Sequence, residues 1–158
     1  MQRRNLLSLV GASSLSGLAG CSSALSAVSL PEVESTKITA LDRSCNDSPE
    51  GTSTVESEGD DTVIITGTIV VPRIRDSLYI TAETDTVFAD VNEETIDARI
   101  DFGPSDPHAN TDVPECLGVI EYRAELTVSK LPSKVVVRHV FEPEGRSYLD
   151  TITEQPIN

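Results

Sequence analysis

Few residues in this chain combine type and spacing in a way that suits chemistry. The densest local set is Asp106, His108, Asp112 and Glu115, three carboxylates and an imidazole in one short stretch. Carboxylate oxygens suit calcium or magnesium, and an added imidazole suits a transition metal. A chain this acidic also brings carboxylates together by chance. A solvated acidic loop is therefore the preferred reading, with these four residues as weak metal candidates. Glu58 with Asp60 and Asp61, and Asp90 with Glu93 and Glu94, read as solvated acidic faces in the same way. The only other histidine, His139, follows a run of valines and reads as a partly buried side chain with a backbone partner. After residue 20 there is no His-x-x-x-His, no Cys-x-x-Cys, no glycine-rich phosphate loop and no Gly-x-Ser-x-Gly. No catalytic residue and no cofactor is assigned, and an enzyme is not expected.

The clearest chemistry belongs to the first 21 residues. Arg3 and Arg4 precede an apolar segment, Leu6 to Leu18, diluted by serines and glycines. A positive start, an apolar middle and small residues at the end are the parts of a secretory leader. The segment is shorter than the ~20 residues of a spanning helix, so a transmembrane anchor is not expected. The arginine pair resembles a twin-arginine export signal, a receptor-read address, although Gln2 stands where Ser or Thr is usual. Leu18-Ala19-Gly20-Cys21 resembles a lipobox, which implies lipidation of Cys21 and its exposure as the new N-terminus. The competing reading is an ordinary leader cut nearby, which would leave an exposed free thiol. With Cys21 acylated, Cys45 and Cys116 remain as an even pair, and outside the cell they are expected to form a disulfide. Asn46-Asp47-Ser48 is a glycosylation sequon, weakened by Pro49 directly after it.

The formal net charge is −14, and residues 1–20 carry two positive and no negative charges, so the chain from Cys21 onward carries −16. Its only lysines are Lys37, Lys130 and Lys134. Binding phosphates needs clustered Lys and Arg, so the charge argues against nucleic acid as a partner. It argues against adsorption to anionic lipid for the same reason, so membrane attachment is expected to come from acyl chains on Cys21. Acid in such excess over lysine resembles the proteins of salt-loving archaea, and self-repulsion of this size is screened by salt.

Positioning falls to strands. Residues 1–20 are read as a signal peptide, 21–32 as the lipidated cysteine and a flexible tether, and 33–158 as one domain. Val33 to Leu41 is a weak first strand, and Asn46 to Asp61 reads as a long polar loop. Thr62 to Val71 is the densest β-branched run and should be a buried central strand. Gly67 within it suggests a bulge or a close backbone approach. Leu78 to Ala82 reads as a short strand, and Thr86 to Val91 as a strand or, with Val87, Phe88 and Val91 on one side, a helical turn, before a turn at Asn92-Glu93-Glu94. In Thr95 to Phe102, Ile96, Ala98, Ile100 and Phe102 share one face, and a loop is read from Gly103 to Glu115. In Val119 to Val128, Ile120, Tyr122, Ala124, Leu126 and Val128 point inward. Lys134 to Phe141 is another strand and Ser147 to Ile152 a last edge strand. About seven short strands predict an antiparallel β-sandwich, immunoglobulin-like in general form, with a small β-barrel as the alternative.

With the leader, Ile120-Glu121-Tyr122-Arg123-Ala124 and Leu131-Pro132-Ser133-Lys134-Val135-Val136-Val137-Arg138-His139 resemble a pattern in small, acidic, exported haloarchaeal lipoproteins. That resemblance implies no activity. The expectation is a lipoprotein anchored on the outer face of the cell membrane, acting as a non-catalytic binding or interaction module for a protein or small molecule. The alternative is a structural, envelope-associated surface protein adapted to high salt.

Overall fold

Period-two patterning becomes two facing sheets in the computed structural model, which describes residues 29–85, 94–105, 116–142 and 148–157. The leader with Arg3 and Arg4, Cys21, the expected strand at Thr86–Val91 and all four metal candidates (Asp106, His108, Asp112, Glu115) lie outside those residues. The described residues hold eight strands, against about seven expected for the whole chain: β1 (Val33–Cys45), β2 (Thr52–Glu58), β3 (Thr62–Val71), β4 (Asp76–Thr84), β5 (Thr95–Ser105), β6 (Gly118–Val128), β7 (Lys134–Phe141) and β8 (Tyr148–Pro156). One sheet has the order β1-β6-β3-β2 and the other β4-β5-β7-β8. The architecture is a β-sandwich of two separate sheets, not a closed barrel. Neither strand order matches the ABED and CFG sheets of an immunoglobulin domain, and β5 pairs with β7 in parallel.

Two stretches read as loops from the sequence are partly strand. The expected loop Asn46–Asp61 contains β2, which pairs with β3 from Thr52↔Thr68 to Glu58↔Thr62. Only Val55 of β2 is buried, so the strand carries almost no apolar signal of its own. It is held instead by its ladder and by hydroxyl pairs on the outer face, Thr52–Thr68 at 3.0 Å and Thr54–Thr66 at 2.9 Å. Gly59 turns the hairpin at φ 71°, in the region that favours glycine. β5 likewise runs on through Gly103 to Ser105, paired with β4.

The inward faces form one core. Val63, Ile65, Ile69 and Val71 of β3 and Ile120, Tyr122, Ala124, Leu126 and Val128 of β6 face Ile96, Ala98 and Ile100 of β5 and Val135 and Val137 of β7. All are buried. The β3 ladder runs through Gly67 without a register shift, so the glycine marks a close approach and not a bulge. A Cβ there would lie 2.0 Å from the Thr52 carbonyl oxygen.

Both open sides of the sandwich are stitched. On one, Arg43 of β1 donates from Nη1 to the carbonyls of Ile74 (2.5 Å) and Asp76 (2.8 Å). On the other, Gln155 of β8 bonds both backbone groups of Val55, accepting from N–H at 3.2 Å and donating to the carbonyl at 2.7 Å. Thr153 adds a bond to the Ser53 carbonyl at 2.9 Å. Edge strands expose unpaired backbone groups that invite other chains, and these side chains occupy part of that edge.

The ends of the sandwich differ. The chain enters β1 at one end, where Ser129 N–H donates to Glu32 O at 2.9 Å and Ile157 N–H donates to Ser133 O at 3.0 Å. At the other end Cys45 and Cys116 form the expected disulfide, with Cα atoms 5.8 Å apart. Thirteen residues of β1 separate the two ends, about 40 Å along an extended strand.

Candidate functional site: a cleft at the far end of the sandwich

At the disulfide end, the stretch before β2 and the β7–β8 pair leave a cleft of about 180 Å³ between the sheets. Pro49, Gly51, Val70, Phe141 and Ile152 line it, together with His139 and Asp150. His139 and Asp150 are directly paired across the β7–β8 ladder. Asp150 is exposed, while His139 is 3% exposed.

The partner of His139 is a side chain, not the backbone group expected from the sequence. Its Nε2 lies 2.8 Å from the hydroxyl of Tyr122, which is fully buried on the opposite sheet. The rings meet edge to face, with centroids 5.6 Å apart at 75°. Burial lowers the His139 pKa to about 4, with the Asp150 charge pulling the other way. Burial also pushes the Tyr122 phenol well above its ordinary value. Both groups are therefore neutral at neutral pH.

Hydrogen-bond bookkeeping selects the tautomer. If the phenol donates to Nε2, the proton of the ring sits on Nδ1, and one donor is left without a partner. If Nε2 donates to the phenol oxygen, both the phenol proton and the Nδ1 lone pair are orphaned. Buried orphans are costly, so the first arrangement is favoured. Among the described residues His139 Nδ1 has no hydrogen-bond partner, and it faces Gly51: a Cβ on Gly51 would lie 3.0 Å from it.

Other polar groups have structural roles. Asp76 is buried at the β4 start, 3.2 Å from Arg73 Nε. Burial raises its pKa, with Arg73 and then Arg43 pulling it down. On the outer face of the second sheet, Arg138 bonds Asp97 at 2.7 Å and Thr151 at 2.8 Å. Asn46 is exposed and accepts from the Ser48 backbone N–H at 2.9 Å, a local turn that leaves the sequon on the surface. Among the described residues no group of three or more His, Cys, Asp or Glu is arranged to hold a metal, and no helix is long and apolar enough to cross a membrane.

Sequence reading found His139 but not its neighbours. Alternation places Tyr122 inward, and the valines before His139 mark its strand as partly buried, but nothing in either strand says that the two meet across the core. Asp150 and Gly51 gave no signal, because each joins the cleft only through strand pairing. Comparison with protein-family models, with curated proteins and with solved structures returns no match.

Proposed function

We propose that this chain is an exported, lipid-anchored protein that works on the outer face of the cell membrane as a non-catalytic binding module. One observation carries the reading: the chain arrives from its tether at one end of the sandwich, and the cleft lies at the other. An anchor on Cys21 would thus hold the cleft about 40 Å out from the lipid, by the length of an extended strand. Among the described residues, the exposed large apolar side chains other than Leu30 also sit in the half away from the tether: Leu41, Tyr79, Leu117, Phe141, Tyr148 and Leu149. Binding sites favour such mixtures of apolar surface and a few polar groups. The Tyr122–His139 pair is sealed in the core and gives no exposed nucleophile or base, which supports binding over catalysis.

The test is fractionation. Cys21→Ser should release the protein to the medium or block its processing. Retention of that variant in membranes washed with concentrated salt would overturn the anchor. Arg3→Lys with Arg4→Lys should stop export by a twin-arginine route, and normal export of this variant would overturn that route.

A further inference from the structure

We propose that Asn46 is a glycosylation site, taking a saccharide on its side-chain nitrogen after export. The proposal goes beyond the binding-module reading and rests only on its export half. The chain holds one Asn-x-Ser/Thr triplet, Asn46-Asp47-Ser48. Whether such a triplet is usable depends on how the fold presents it, and three features favour this one.

The first is exposure. Cys45, Asn46, Asp47 and Ser48 are all exposed, where β1 ends and the chain leaves the sheet. The second is the direction of the amide. Ser48 N–H donates to Asn46 Oδ1 at 2.9 Å. A backbone N–H needs an acceptor, so the oxygen takes that side and Nδ2 points the other way. Among the described residues nothing bonds to Nδ2. The third is a fixed base. Asn46 N–H donates to Leu117 O at 3.2 Å, which carries the β1–β6 pairing one residue past the Cys45–Cys116 bridge. The acceptor nitrogen thus stands on the end of a braced strand.

Pro49 is no obstacle in this arrangement. A proline interferes through its missing N–H and its fixed ring. The turn at Asn46 uses the N–H of Ser48, and Pro49 is half-buried against the cleft.

The donor is a saccharide joined through its anomeric carbon to a lipid phosphate, and an external transferase supplies the base. Nδ2 forms a bond to the anomeric carbon. The bond from that carbon to the phosphate oxygen breaks, its electron pair leaving with the lipid phosphate. One Nδ2 proton passes to the base. Nothing is oxidised or reduced, and Oδ1 keeps its bond to Ser48.

Peptide mass mapping tests this on the full chain from its native cells. Trypsin cuts after Arg43 and Arg73, with no Lys or Arg between them, so one peptide, Ser44 to Arg73, reports the site after reduction. In disulfide-bonded chains that peptide should be heavier by a whole number of sugar residues, located on Asn46 by fragmentation. Asn46→Gln and Ser48→Ala should each return it to its bare mass, while Ser48→Thr should keep the addition. Both positions are exposed, and formation of the Cys45–Cys116 bridge in each variant reports that it has folded. A bare peptide from disulfide-bonded wild-type chains overturns the proposal. So does an addition that survives Asn46→Gln, which would place the sugar on a hydroxyl, or one that survives Ser48→Ala. Chains found only inside the cell, with both cysteines reduced, would defeat export and this proposal with it. A bare peptide from disulfide-bonded chains outside the cell defeats the glycan alone.

Discussion

Tyr122 of β6 and His139 of β7 join the two sheets through a 2.8 Å hydrogen bond inside the core. Both side chains are inaccessible, so protonating the histidine would bury a cation and turn Nε2 from acceptor to donor, and the pair favours the neutral imidazole. The His139 pKa falls from an ordinary 6.5 to about 4 because burial disfavours the cation. The unfolded chain therefore binds a proton first as the pH drops. The stabilising contribution is complete above about pH 6.5, and is lost progressively as the pH falls to about 4. The full loss is on the order of 3 kcal/mol. Urea denaturation in concentrated salt, which screens the carboxylates, should show this decline between pH 6.5 and 4. His139→Gln should be less stable at pH 7 and show a flatter profile over the same window. An equally steep profile in the variant would assign the decline to other groups.

The disulfide clamps the last rung of the β1–β6 ladder, since Cys45 pairs with Gly118, two residues beyond Cys116. It closes a loop of 71 positions. Chain-entropy reasoning gives about 4 kcal/mol as an upper value for such a loop. Cys45→Ser with Cys116→Ser should cost about 2–4 kcal/mol. The loss should be most visible below molar salt, where repulsion among acidic groups is least screened. Free-thiol titration of the folded, exported protein should find neither cysteine reduced.

Gly67→Ala places a methyl group against the β2 backbone, 2.0 Å from Thr52 O and 2.9 Å from the Ser53 Cα. A backbone cannot rotate aside as a long side chain can. The β2–β3 ladder must shift, at a cost of about 2–3 kcal/mol. Thermal melting should register the loss. An unchanged midpoint would mean that β2 approaches β3 less closely than described.

Gln155→Ala removes both bonds to Val55 across the side of the sandwich. It should cost about 1–2 kcal/mol, as the Val55 groups lose their partner. Hydrogen exchange at the Val55 amide should speed up markedly, while amides in the middle of β6 keep their protection. Gln155→Glu keeps an acceptor for Val55 N–H but loses the donor to its carbonyl, and should fall between wild type and Gln155→Ala.

What the sequence determined by itself was local. Alternation in Thr95–Phe102 and Val119–Val128 assigned their inward faces, because period two is a property of the strand and needs no partner. The density of β-branched residues marked β3 as central for the same reason. Even cysteine numbers, once Cys21 was set aside, were enough to pair Cys45 with Cys116. Tertiary structure decided everything that depends on which strand lies beside which. β2 was hidden because its stability comes from side chains outside it, Thr66 and Thr68 across the hairpin and Gln155 on the other sheet. The parallel β5–β7 pairing and the strand order had no local signature at all. The cleft is the clearest case: Gly51, His139 and Asp150 belong to three separate segments and carry no shared pattern. His139 became distinctive only because folding matched its Nε2 to Tyr122 and left Nδ1 with no partner among the described residues.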